Sequence, residues 1–142
     1  MSTMTQRLLD HIKVAEGFRA KPYTCPAGKL TIGYGFNIED RGIPEEVAEF
    51  WLAHELAETK MELWRSGFGT NISPARLHVL YDMAYNMGVP RLRQFKKMFA
   101  ALSVHDYETA SLEMLDSKWA RQVGNRAKKL SEIMRKGEWP EV

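Results

Sequence analysis

Cysteine is almost absent: Cys25 is the only one in 142 residues, so no disulfide can form within the chain and no multi-thiolate metal site exists. Long apolar runs are missing too. The longest extends only from Met98 to Leu102, far short of the roughly 20 residues that span a bilayer. No apolar stretch follows Met1-Ser-Thr-Met-Thr-Gln-Arg7, so the start does not read as a cleavable export signal, and synthesis in a cytoplasm is expected. His11, His54, His78 and His105 show no paired metal spacing, and neither a glycine-rich phosphate loop nor a serine elbow occurs.

What remains is an ordinary globular composition, 44% hydrophobic and 27% charged, at the length of one domain. The net charge is only +2, but it is unevenly spread. Residues 39–62 hold eight acids against Arg41 and Lys60, whereas residues 118–136 hold seven bases against Glu132 alone. Arg91, Arg93, Lys96 and Lys97 form a second basic group. Such faces are either solvated helix surfaces or footprints for a polyanion, nucleic acid or an anionic cell surface, and charge alone does not choose.

The hydrophobic spacing divides the chain. Leu8, Ile12 and Ala15 recur at helical intervals, predicting a helix over 4–16 that Gly17 ends. Pro26-Ala-Gly28 marks a turn, after which Leu30, Ile32, Tyr34 and Phe36 alternate with Thr31, Gly33, Gly35 and Asn37. That pattern predicts a strand with one apolar face and one face of very small residues, a floor on which an extended polymer could lie. Glycine in a strand also commonly marks a bulge or bend. From Pro44 on, every segment reads as helix. The first is long, with Val47, Trp51, His54, Met61 and Trp64 as its stripe; Trp51, Trp64 and Trp119 are expected in the core. Ser73-Pro74 opens the next, with Leu77, Tyr81 and Ala84 inward, and shorter helices follow at 91–102, 106–116, around Trp119, and from Asn125 to Gly137. The fold class is therefore α+β, with a hairpin near the N-terminus and helices after it.

Glu16 is the first candidate for chemistry. A carboxyl group in the last turn of a helix meets the negative end of the helix dipole, which favours the neutral form that a general acid needs. Eight residues separate it from Cys25, and five separate Cys25 from Thr31 at the head of Thr31-Ile-Gly-Tyr-Gly35. This ordered set resembles the catalytic signature of the phage-type lysozymes, with Cys25 at a position often held by Asp. Tyr85-Asn-Met-Gly88 resembles the cleft segment of that family. Ser117-Lys-Trp-Ala-Arg-Gln122, followed by Asn125-Arg-Ala-Lys128, resembles its C-terminal helix pair. Phe36-Asn37 departs from it, standing where many members carry a histidine.

The resemblance implies one lysozyme-like domain over 1–142: a small β lobe at about 17–43, a connecting helix at about 44–65, and a helical lobe at about 66–142 that includes the N-terminal helix, with a cleft between the lobes. It implies a peptidoglycan-cutting muramidase without metal or cofactor, monomeric, acting as an endolysin in phage lysis after a holin-type pore opens. Glu16 is then the general acid, Cys25 the group opposite it, and Thr31 the residue that places water. Tyr23, Gly33, Gly35 and Asn86 fall at substrate-binding positions, and Arg126 matches an arginine that lies against the catalytic Glu. The basic C-terminal helices would meet an anionic envelope. Rival readings are a lytic transglycosylase, a wall-binding protein that has lost catalysis, and nucleic-acid binding. The last lacks any interleaving of basic and aromatic residues.

Overall fold

The computed structural model describes residues 3–68 and 71–139, so Met1-Ser2 and the parts of the expected helical lobe at 69–70 and 140–142 lie outside the described residues. The chain forms two compact units, Met1–Phe50 and Trp51–Val142. No helix among the described residues is long and apolar enough to cross a membrane.

In the first unit, α1 spans Met4–Glu16. Thr3 caps it by accepting the Gln6 N–H, and Gly17 ends it at φ 72°, donating its N–H to the Lys13 carbonyl. Three antiparallel strands follow, β1 (Arg19–Thr24), β2 (Leu30–Gly33) and β3 (Phe36–Asn37), in the order β1-β2-β3. The turn joining β1 to β2 is closed by the Gly28 N–H on the Cys25 carbonyl at 2.8 Å. Pro26 occupies its second position, where a fixed φ suits a turn. Beyond it Cys25 donates to the Lys29 carbonyl at 2.9 Å, which sets the register Thr24↔Leu30 and Tyr23↔Thr31. The one-turn helix α2 (Ile38–Arg41) is capped by the Asn37 side chain, and Lys29 ties it back to the turn through Glu39 and Asp40.

The expected strand over 30–36 is interrupted. Gly33 and Gly35 both adopt positive φ, 69° and 73°, so the chain reverses through Tyr34-Gly35 instead of continuing its alternation. The face of small residues is also not an open floor. Thr31 is only 3% exposed and Gly33 is buried, while Leu30 and Phe36 on the apolar side are half exposed.

Helix α3 (Glu45–Arg65) runs across the boundary between the units. Its least exposed stripe is Leu56, Thr59 and the buried Leu63 rather than the one expected. That stripe passes through Leu63, next to Trp64, so the buried face is rotated by about 100°. Trp51 and Trp64 are consequently exposed at 49% and 68%, not in the core.

The second unit adds α4 (Pro74–Met87), α5 (Val89–Leu92), α6 (Lys96–Ser103), α7 (Tyr107–Leu115), α8 (Lys118–Val123) and α9 (Asn125–Lys136). Its core is rich in methionine: Met83, Met98, Met114 and Met134 are fully buried with Leu63, Val79, Leu80, Val89 and Leu92. Thioether side chains fill irregular gaps between short helices. Trp119 is buried as expected. Helix α9 places Ala127, Leu130, Ile133 and Met134 inward and keeps Lys128, Lys129 and Lys136 in water. Its C-terminal carbonyls are closed by Arg76, which donates from Nε to the Met134 carbonyl at 2.7 Å and from Nη2 to that of Arg135 at 3.0 Å.

Candidate active site

Two of the expected site residues meet directly. Helix α1 delivers Glu16 at its last turn, and the hairpin turn delivers Gly35. A methyl group at Gly35 would fall 2.5 Å from Glu16 Oε2 and 3.0 Å from its Cδ. Only a bare α-carbon lets the carboxylate lie there, and the φ of 73° favours glycine independently. Gly35 therefore seats the acid instead of forming part of a strand floor. Gly33 has a different neighbour: a Cβ there would meet the Phe36 ring at 2.8 Å.

Cys25 and Thr31 are the second pair, brought together across the β1–β2 turn. The Cys25 thiol is held below its ordinary value, first by the backbone N–H of Lys29 against the opposing effect of desolvation, then by the N–H of Ala27 and the Thr31 hydroxyl. These donors come from the turn itself, because a tight turn points successive N–H groups toward one side chain. Thr31 Oγ1 also donates to the Lys29 carbonyl at 2.9 Å. With a single proton it serves the carbonyl or the sulfur, not both at once. Tyr23 sits opposite Thr31 in the ladder, with the Arg19 guanidinium 4.2 Å from its ring centroid.

The remaining expected residues belong to the second unit. Asn86 accepts the Trp119 indole N–H through Oδ1 at 2.7 Å. An indole N–H only donates, so this bond fixes the amide's orientation, and among the described residues its NH₂ has no side-chain partner. Arg126 donates from Nε to Asp82 Oδ1 at 2.8 Å, with Nη2 at 2.6 Å from the same oxygen. Asp82 was not singled out from the sequence, since it lies 44 residues from its partner and nothing local marks it. Asp82, Tyr85 and Arg126 line a groove of about 630 Å³ whose apolar wall includes Leu56, Leu77 and Tyr81.

A carboxylate seated on a glycine at a helix end is thus followed along the hairpin by a thiol and a hydroxyl. A profile of the phage lysozyme family matches residues 13–138. The chain is also 31% identical over 122 residues to an endolysin of Acyrthosiphon pisum secondary endosymbiont phage 1, covering 83% of this chain and 80% of that protein. The chain belongs to the phage lysozyme family, with an α+β lysozyme-like fold.

Proposed function

We propose that the protein is a muramidase that hydrolyses the β-1,4 bond between N-acetylmuramic acid and N-acetylglucosamine, as the endolysin that opens the host wall at the end of a phage cycle. The observation that carries this reading is the Glu16 carboxylate seated on Gly35 in a member of the phage lysozyme family. Glu16 protonates the departing glycosidic oxygen. Cys25 takes the part of the second carboxylate in such enzymes. Its thiol, held below its ordinary value by the donors of the turn, lies on the side where positive charge develops at the anomeric carbon, and with Thr31 it holds the attacking water. Tyr23, Gly33 and the amide of Asn86 contribute to substrate binding, and Arg126 supports the site.

The enzyme works as a monomer that accumulates in the host cytoplasm and reaches the wall once a holin-type pore opens. The lysine face of α9 supports electrostatic attraction to the anionic envelope.

Wall lysis by wild type and Glu16→Gln, with mass spectrometry of the released fragments, tests the reading. Gln keeps the shape but has no proton to give, and a loss of at least about a hundredfold is expected. The wild-type products carry a reducing end with the mass of one added water. Fragments lighter by that water, as 1,6-anhydro sugars, would make the protein a lytic transglycosylase. A wild type that binds walls without cutting them would make it a non-catalytic relative.

A further inference from the structure

Exposed aromatic side chains occur on both units, and most stand apart from one another. Among the described residues Phe50, Trp51 and Trp64 on α3 have no aromatic neighbour, and Trp139 meets only His78. The first unit holds the exception. Phe18, Tyr34 and Phe36 form a connected row, with ring centroids 5.5 Å apart between Phe18 and Tyr34 and 6.4 Å apart between Tyr34 and Phe36. The outer two rings are 66% and 57% exposed, and Tyr34 between them is half-buried. A contiguous apolar patch left in water marks a contact surface, which a single exposed ring does not.

The row is held in place. Phe36 pairs with Ile32 in the β2–β3 ladder, and one side of its ring lies on the bare α-carbon of Gly33, where a Cβ would meet Cδ2 and Cε2 at 2.8 Å. Tyr34 stands at 79° to Phe36, and the Lys13 ammonium is 6.0 Å from the Tyr34 centroid. The row also adjoins the candidate acid. Tyr34 and Phe36 flank Gly35 in the chain, and Gly35 is the seat of Glu16. An uncharged flat ring fixed beside a carboxyl group suits a ligand with an apolar face and a polar rim. A β-linked pyranose has that form, with axial C–H bonds on its faces and oxygen substituents around its edge.

We propose that Phe36, backed by Tyr34, is a sugar-stacking residue: its exposed ring packs against one pyranose of the glycan strand and sets where the strand lies relative to Glu16. The identity of the glycan rests on the wall-hydrolase reading above. Phe36 holds the substrate and takes no part in proton transfer, so its loss costs binding and leaves the acid unchanged.

The test is an NMR titration of the full chain with the peptide-free tetrasaccharide of alternating N-acetylglucosamine and N-acetylmuramic acid, in wild type and in Glu16→Gln, which preserves the ligand. The C–H protons of one sugar are expected to move upfield, the ring-current signature of protons held over an aromatic face, with NOEs to the Phe36 ring. Phe36→Leu removes both signals and weakens binding about fivefold, the scale of one aromatic contact, whereas Phe36→Tyr keeps them. The loss is equal at low and high salt, which separates it from capture by the lysines of α9. On walls Phe36→Leu raises KM and leaves kcat and its pH profile unchanged. Saturable binding to wild type without the upfield shift or the NOEs overturns the proposal, and that readout needs no variant at Phe36. So does unchanged affinity in Phe36→Leu, which with a lowered thermal midpoint would make the ring a packing residue. A wild type that lyses walls but gives no contact between the tetrasaccharide and Phe36 overturns the stacking site and leaves the muramidase reading intact. Stacking in a protein that cuts nothing does the reverse.

Discussion

The Glu16 carboxylate rests on the α-carbon of Gly35, closer than any side chain at position 35 would allow. The contact joins the last turn of α1 to the hairpin between β2 and β3, so the orientation of the proposed general acid depends on a residue that carries no chemistry.

Gly35→Ala is therefore expected to damage catalysis more than folding. The added methyl must displace Glu16 Oε2 from 2.5 Å to ordinary contact, a shift of about an ångström, and such misplacements cost about a hundredfold in rate. The positive φ adds about 1–2 kcal/mol of strain. Lysis rates and a thermal melt on the same preparation separate the two effects. Near-native activity in this variant would show that the glycine only shapes the turn.

How far this arrangement was legible depends on how local its causes are. The ends of α1 and α9 were readable because Gly17 and Gly137 act on their own turns, both at positive φ. The break at Tyr34-Gly35 was not. An alternating pattern with glycine at every second place looks the same whether those glycines lie flat in a strand or turn it. The buried face of α3 was misread because Trp51 and Leu63 are equally apolar, and only the packed neighbours decide which goes inward. The Asp82–Arg126 pair had no local signal at all. The direction of the Cys25 shift depends on main-chain N–H groups, which every sequence contains and none displays.

Arg126→Ala removes a partner from Asp82, a half-exposed pair. Pairs of that kind contribute about 1 kcal/mol or less, so a modest fall in thermal stability is expected. Asp82→Ala should fall similarly, and the double variant by less than the sum, because either change alone removes the bond. If Arg126 supports the acid, its loss also lowers kcat more than so small a destabilisation explains. Wild-type kcat in Arg126→Ala would confine this arginine to structure.

Neutralising Lys128, Lys129 and Lys136 together tests the α9 face. Lys136 is 3.5 Å from Glu132, and neither of the other two forms an ion pair among the described residues, so most of this charge is available to a distant anion. Lysis of whole envelopes is expected to slow at low salt and to lose its salt dependence, since exposed charges act over roughly a Debye length. Rates on short soluble glycans should not change. Equal losses on both substrates would mean that the lysines support the helix rather than capture the wall.

Cys25 gives the sharpest pH prediction. The Lys29 and Ala27 N–H groups and the Thr31 hydroxyl favour the anion, so the folded thiol ionises at lower pH than the unfolded one. Alkylation of native protein should accordingly reach half its limiting rate below the value of about 8.5 expected for a free thiol. The same shift carries a stability consequence. A group whose folded pKa is depressed adds stability that is fully present above its unfolded value and lost as pH falls through the folded one. The difference in thermal midpoint between wild type and Cys25→Ala should therefore contain a component that grows as pH rises through this interval. Thr31→Val removes one donor and should move the alkylation midpoint back up while leaving the larger contribution from Lys29 in place. In catalysis, Cys25→Asp should stay active because it supplies an anion at the same position, whereas Cys25→Ala should lose most activity and alkylation should abolish it. Inversion at the anomeric carbon, read by proton NMR of the first products, is expected if the thiolate activates water; retention would mean that sulfur attacks the carbon itself. An alkylation midpoint at or above that of a free thiol would contradict the donor geometry of the turn, and full activity in Cys25→Ala would remove the sulfur from the reaction.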